Sequence, residues 1–414
     1  MKLGLAAIDS VCERLGRPER RVPSVLVAGT NGKGSAAATL SAIARAGGVH
    51  AGLYTSPHLA RAGERIRVGD TDLSDGELDR ALEPVFRVAD GAPAVPLTYF
   101  EALTAAAFVA FSDRELELAI LEVGLGGRYD ATNVAPARLS VVTSIGLDHT
   151  RELGSTPSAI AQEKAGIFRP GRPALIGPRE EESREALVRA ARECGALVHL
   201  AADEVRVSAV ATSLDGTRFS VETPSGRLDL ATPLAGRHQA HNAALAVRAA
   251  ELLSGCHPGL GRAAIPPGVA STRWPGRLER MSLRGRTVLL DGCHNPQAAS
   301  ALAQFLEDAG LTGRVRLVFG AMADKDVEAM AATLFPAFSS VRLVSAPSSR
   351  AATADELRRR TAGVQPGAVP AESLEAALSA FAAEPDPAPI IVAGSLYLVG
   401  EARSLLLSGR LEDE

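Results

Sequence analysis

Gly29-Thr30-Asn31-Gly32-Lys33-Gly34-Ser35 is the stretch whose reading decides the fold. It follows an apolar, β-branched run at 25–28 and opens an alanine-rich segment of helical length at 35–46. A strand, a glycine-rich turn and a helix in that order make a phosphate loop. The glycines permit a tight turn whose backbone N–H groups converge, and the helix N-terminus adds positive potential. Lys33 is then placed to neutralise the β- and γ-phosphates of a nucleotide. The strict pattern of such loops is broken twice, by Val27 where a first glycine belongs and by Gly34 where Ser or Thr would follow the lysine. A plain glycine-rich turn with a solvated lysine is the alternative, and the strand–loop–helix setting argues against it.

Outward from this loop, short apolar runs alternate with helical segments. Residues 49–54, 116–123 and 139–145 read as buried strands, and 99–111 as a helix among them. Such alternation implies parallel sheet built from βαβ units. Residues 204–230 differ, because turns at Asp215-Gly216 and Ser225-Gly226 suggest an antiparallel meander of hairpins, followed by a helix at 241–253. Residues 255–276 are rich in Gly and Pro, hold the only tryptophan, Trp274, and read as a linker. Strands resume at 287–291, 315–319, 341–344 and 390–393. The expected fold class is α/β. A P-loop-type, mostly parallel sheet domain with a small antiparallel subregion spans 1–272, a hinge 273–277, and a smaller Rossmann-like α/β domain 278–414.

At 414 residues, and ~150 per domain, two or three domains are expected. Lys+Arg 44 against Asp+Glu 48 leaves a net charge of −4 with the signs interspersed, which argues against a nucleic-acid binder. No run approaches the ~20 apolar residues that span a bilayer, so no membrane partner is expected. The amino terminus from Met1 to Gly4 has no apolar leader region. Cys12, Cys194, Cys256 and Cys293 are far apart and form no CxxC pair, so neither a disulfide framework nor a zinc knuckle is indicated. The expectation is a cytoplasmic, multi-domain α/β protein.

Three polar residues stand at or just past the ends of expected parallel strands: Ser56, Glu122 and His149. Ligands bind at the carboxyl edge of an open α/β sheet. A hydroxyl, a carboxylate and an imidazole near a phosphate loop can hold Mg²⁺, with nucleotide oxygens completing the shell. Taken singly, Ser56 can begin a turn with Pro57, Glu122 can pair with Arg128, and His149 can be an ordinary loop histidine. Gly124-Leu125-Gly126-Gly127-Arg128-Tyr129 imitates a dinucleotide fingerprint, but Tyr129 fills the third glycine position and no amphipathic helix opens there. Lys164, in Gln162-Glu163-Lys164-Ala165-Gly166, reads alone as a solvated helix end. Asp291-Gly292-Cys293-His294-Asn295-Pro296, Asp324-Lys325-Asp326 and Gly394-Ser395 stand at strand ends. Each can be turn chemistry, and together they suggest a second ligand-facing edge.

The order of these motifs resembles the folylpolyglutamate synthases and bifunctional dihydrofolate synthases of the Mur ligase superfamily. The phosphate loop is followed by Thr55-Ser56-Pro57-His58-Leu59, Glu64-Arg65-Ile66, Phe100-Glu101-Ala102-Leu103-Thr104 and the long run from Glu122 to Asn133. Then come Asp148-His149-Thr150, Glu163-Lys164-Ala165-Gly166-Ile167, His241-Asn242-Ala243-Ala244, Gly276-Arg277-Leu278-Glu279, the Asp291–Pro296 run and Gly394-Ser395-Leu396-Tyr397-Leu398. The resemblance implies that Gly29, Thr30, Asn31, Gly32, Lys33, Gly34 and Ser35 cradle ATP, with Asn242, Arg277, Asp291 and His294 as further ATP contacts. It implies Mg²⁺ at Ser56, Glu122 and His149. It also implies a carbamylated Lys164 that can face a second divalent ion. Where the family often has an aspartate, this chain has Lys2, and Ala62 stands where an aromatic is usual.

The activity so implied is ATP-dependent ligation of L-glutamate to a folate or dihydropteroate carboxylate through an acyl phosphate, by an enzyme expected to work as a monomer on small molecules. Lys33, Lys164, His149 and Arg277 would be the catalytic groups, Arg277 reaching the nucleotide on domain closure. Phosphoryl transfer needs positioning and charge neutralisation more than covalent help. A muramoyl amino-acid ligase would share the chemistry, but a UDP-binding domain is expected ahead of its phosphate loop, and here the loop begins at residue 29. A non-ligating nucleotide-binding regulator is the rival of another class, and it leaves the metal and closure residues without a purpose.

Overall fold

The computed structural model describes residues 4–411; Met1, Lys2 and Leu3, part of the stretch read for a leader, lie outside the described residues. The chain divides into two compact units. The first comprises residues 1–210, 218–232 and 239–273, and the second 211–217, 233–238 and 274–414.

The first unit is built on an eight-stranded sheet. Its strands are β1 (Ser24–Ala28), β2 (Ala51–Tyr54), β3 (Ile66–Val68), β4 (Thr71–Asp72), β5 (Leu118–Glu122), β6 (Leu139–Val142), β7 (Pro173–Ile176) and β8 (Leu197–Leu200), in the order β4-β3-β2-β5-β1-β6-β7-β8. The strands from β2 through β8 in that order pair in parallel, while β3 and β4 add an antiparallel edge. Parallel strands covered on both faces read as continuous apolar runs rather than alternating ones. Accordingly every residue of β1, β5 and β6 is buried. Leu26, Leu121 and Val142 share a core with Phe108 and Phe111 of the helix Tyr99–Asp113. The chain leaves β1 at the centre of the sheet and enters the helix Lys33–Ala46, so the loop of residues 29–32 sits at the carboxyl edge. The expected meander is present as β9 (Arg206–Ser213), β10 (Gly216–Thr223) and β11 (Gly226–Thr232), ordered β11-β10-β9.

The Gly/Pro-rich stretch after residue 255 is not a free linker. It forms two short 3-10 turns and the helix Ile265–Ala270, with Leu260, Ile265 and Val269 buried. Two of its glycines serve close packing: a Cβ at Gly259 would lie 2.5 Å from the Gly47 carbonyl oxygen, and one at Gly268 2.4 Å from the Ile43 Cα. Composition signalled flexibility because it does not register backbone-to-backbone approach.

In the second unit, six strands run β12 (Arg277–Leu283), β13 (Arg286–Asp291), β14 (Arg316–Phe319), β15 (Ser340–Leu343), β16 (Val369–Pro370) and β17 (Ile390–Ala393). Their order is β12-β13-β17-β14-β15-β16, all parallel except β12 against β13. The strand-end clusters act first as helix caps. Asn295, Asp326 and Ser395 each accept a backbone N–H in the first turn of the following helix, the local bond that makes such residues good N-caps. Among the described residues no helix is long and apolar enough to cross a membrane.

Candidate active site

The helix Lys33–Ala46 begins at Gly32, whose φ of 82° lies in the left-handed region that favours glycine. No side chain caps it and no acidic residue occupies its first turn, so its N–H groups and dipole are left for an anion. The loop is held from the end of β6. Thr30 N donates to the Ser144 carbonyl at 2.8 Å, Asn31 N to Ser144 Oγ at 2.9 Å, and Thr143 Oγ1 to the Asn31 carbonyl at 2.7 Å. Asn242 packs against the loop, and a Cβ at Gly32 would lie 2.3 Å from its Oδ1. The sequence reading missed Thr143 and Ser144. Their position two and three residues before Gly146, at a strand end, is the signal that was there to find.

Two lysines converge on one carbonyl. Lys33 Nζ donates to the Gly29 carbonyl at 3.1 Å and to that of Thr30 at 3.3 Å, while Lys164 Nζ donates to the same Gly29 carbonyl at 2.9 Å. Lys164 is 4% exposed, which removes the solvated helix end that its segment alone suggests. Burial, with the Lys33 charge second, pushes its pKa down to about 7, against the weaker opposing pull of Asp148 and Asp130. Two glycines make that burial possible. A Cβ at Gly127 would come within 2.8 Å of the Glu163 and Lys164 carbonyls, and one at Gly166 within 2.4 Å of the Arg128 Cα. Gly127 of the false dinucleotide fingerprint thus serves close approach of the loop after β5 to the helix Pro157–Ala165. No α-helix opens there, only the 3-10 turn Ala131–Val134.

That loop is fastened by Asp130, a residue the sequence reading did not single out. Its buried carboxylate accepts N–H groups from Gly124, Leu125 and Thr132 and the Thr132 hydroxyl. The Asp-x-Thr spacing of a local side-chain-to-backbone turn was its signal.

Glu122 ends β5 and is 5% exposed, and its Oε2 accepts the Ser56 N–H at 3.2 Å, so these two residues are brought together. Arg128, the alternative partner for Glu122, instead faces Glu163 at 3.6 Å. Ser56 hydroxyl and Glu122 carboxylate are hard oxygen donors, and with phosphate oxygens they fit Mg²⁺. His149 stands at the start of the helix Thr150–Leu153 with φ 51°, and its Nε2 lies 3.9 Å from Asp148 Oδ1. Among the described residues no group of three or more His, Cys, Asp or Glu side chains is gathered to hold a metal ion.

In the second unit, Arg277 begins β12, opposite Asp291 at the end of β13. Asp291 is 7% exposed, and burial raises its pKa while Arg277 opposes the rise. His294 donates from Nδ1 to the Gly292 carbonyl at 2.8 Å, a bond that fixes its tautomer.

Comparison with known proteins bears on this geometry. The Mur ligase middle domain matches residues 27–250 and the Mur ligase glutamate ligase domain residues 276–396. A dihydrofolate synthase/folylpolyglutamate synthase of Mycobacterium tuberculosis is 36% identical over 97% of this chain and 89% of its own length. Relatives from Haloferax volcanii and Halobacterium salinarum, each 36% identical, are longer, and the chain spans 48% and 49% of them. The structure of E. coli FolC in complex with DHPP and ADP superposes with a TM-score of 0.87 at 33% identity, covering 99% of this chain and 94% of that one. A bifunctional folylpolyglutamate synthase/dihydrofolate synthase with Mn, AMPPNP and L-glutamate bound gives 0.84 at 31% identity, covering 98% and 95%. The chain belongs to the folylpolyglutamate synthase/dihydrofolate synthase family of Mur ligases.

Proposed function

We propose that the chain is an ATP-dependent carboxylate–amine ligase that joins L-glutamate to the carboxylate of a folate or of dihydropteroate. The acceptor carboxylate attacks the γ-phosphate, ADP leaves, and the glutamate amine then displaces phosphate from the acyl phosphate to form an amide. One observation carries this reading. An uncapped helix N-terminus at the carboxyl edge of a parallel sheet has two lysines, Lys33 and Lys164, bonded to its loop carbonyl Gly29. Anionic phosphates are what such a loop accommodates, and Lys33 supplies mobile positive charge as the γ-phosphoryl group transfers. Ser56 and Glu122, with His149 as the family pattern has it, would hold Mg²⁺, which neutralises phosphate charge when bound. Asn242 against Gly32, and Arg277, Asp291 and His294 in the second unit, are assigned to ATP on their match to that pattern.

Lys164 is assigned as a carbamate in the active protein. Its neutral amine attacks CO₂, forming an N–C bond and releasing one proton, and the product is an anion able to face a second divalent ion. A pKa near 7 supports this, since a large share of the amine is then neutral at working pH. Labelling with isotope-enriched bicarbonate should give a carbamate NMR signal that Lys164→Ala lacks; its absence from active protein would remove the assignment.

The activity itself is tested with purified protein, ATP, MgCl₂ and L-glutamate, adding dihydropteroate or a folate in separate arms. Phosphate release with a new amide mass in either arm is the expected result and identifies the acceptor. Nucleotide binding without amide in both arms would leave a regulator rather than a ligase.

A further inference from the structure

Arg277 occupies an unusual piece of backbone. From Arg277↔Asp291 the β12–β13 pairing shifts to Glu279↔Leu290, leaving Leu278 as an extra residue. Leu278 is buried, yet its φ is 49°, a conformation that residues with a Cβ avoid. Such a bulge re-aims the neighbouring side chain and must be held. Carboxylates hold it on both sides of Arg277. Glu279 Oε2 accepts the Gly276 N–H at 2.9 Å, and Asp291 Oδ2 accepts the Leu278 N–H at 3.1 Å. Each is secured in turn. Arg403 Nε donates to both oxygens of Glu279 at 3.0 and 3.1 Å, and Asp291 Oδ1 accepts the Cys293 N–H at 3.0 Å. Between them the guanidinium has little freedom. Arg277 Nη1 donates to the Gly276 carbonyl at 3.0 Å, and a Cβ at Gly292 would lie 2.2 Å from it.

We infer that Glu279, gripped by Arg403, acts with Asp291 as a clamp on the backbone flanking Arg277, making Glu279 and Arg403 positioning residues for the ligase reaction. Neither has a part in the assignments above, and the inference rests on the reading of Arg277 as a nucleotide contact. Removing Glu279 frees the Gly276 N–H and lets the bulge relax, so the guanidinium loses its aim.

The test uses the full chain with Glu279→Ala, Glu279→Gln, Arg277→Ala and the double variant Arg277→Ala/Glu279→Ala. Misplacing a positioned group costs about 10- to 100-fold in rate, and that loss is expected in kcat for Glu279→Ala with the KM for the folate acceptor unchanged. Glu279→Gln still offers an oxygen to the Gly276 N–H and should recover most of the rate. The double variant should be no slower than Arg277→Ala alone. Additive losses, or a glutamine variant as slow as the alanine one, would overturn the clamp. Amide hydrogen exchange gives a readout independent of turnover. Protection at Gly276 and Leu278 should fall in Glu279→Ala and stay in Arg277→Ala. Should the wild type make no amide, the ligase reading fails by itself, and unchanged protection at Gly276 in Glu279→Ala would then sink the clamp.

Discussion

Replacing Lys164 by methionine should make the protein more stable as it removes activity, and the gain should depend on pH in a calculable way. The side chain is 4% exposed, and its pKa falls from the ordinary 10.5 to about 7, chiefly through burial. A lysine with a depressed folded-state pKa binds fewer protons in the folded chain than in the unfolded one between those two values. Stability therefore rises with pH across that window, and the penalty is fully present below about pH 7. At ~1.4 kcal/mol per pH unit the whole penalty is about 5 kcal/mol, falling to about 2 kcal/mol at pH 9. Methionine keeps an unbranched side chain one atom shorter and never charges. It forfeits the bond to the Gly29 carbonyl, which Lys33 still satisfies at 3.1 Å, and that loss is the same at every pH. The difference between variant and wild type should accordingly shrink by about 3 kcal/mol from pH 6 to pH 9. Urea unfolding at both pH values, in CO₂-free buffer so that the amine stays unmodified, measures it. A variant whose relative stability is the same at both pH values would refute the argument that burial of a charge governs Lys164.

Lys33→Ala should lower turnover ~10²- to 10³-fold with the fold retained, since the Lys33 ammonium bonds to carbonyls of its own loop; normal turnover would end the phosphate-loop reading. Glu122→Gln keeps an acceptor for the Ser56 N–H but loses the charge a hard cation prefers. Its activity should need more Mg²⁺ for half-saturation, and an unchanged Mg²⁺ titration would make Glu122 a purely structural partner of Ser56. Gly32→Ala forces a Cβ to 2.3 Å from Asn242 Oδ1 at a φ of 82°, a left-handed conformation that costs about 1–2 kcal/mol before the clash. ADP binding, followed by calorimetry, should weaken sharply, and wild-type affinity would show that the loop does not need its glycine there.

The parallel core was legible because strands buried on both faces write themselves as apolar runs, and β1, β5 and β6 contain no solvent-facing position to interrupt them. The glycine-rich turn before the helix Lys33–Ala46 was legible for a related reason: its requirements are local, a glycine at positive φ and a helix start. The burial of Lys164 was not, since nothing in Gln162-Glu163-Lys164 distinguishes a buried lysine from a solvated one. Its burial is decided by Gly127, thirty-odd residues upstream, whose missing Cβ admits the Lys164 carbonyl. The linker misreading has the same origin, since Gly268 exists to fit Ile43. Glu279 and Arg403 lie 124 residues apart and meet only once the helix Leu396–Leu407 has packed. The residues that touch a ligand must have a particular chemistry, so their types show in the sequence. The residues that aim them need only a distance and a hydrogen bond, which many side chains can supply, and so the supporting carboxylates at 130 and 279 become visible only in three dimensions.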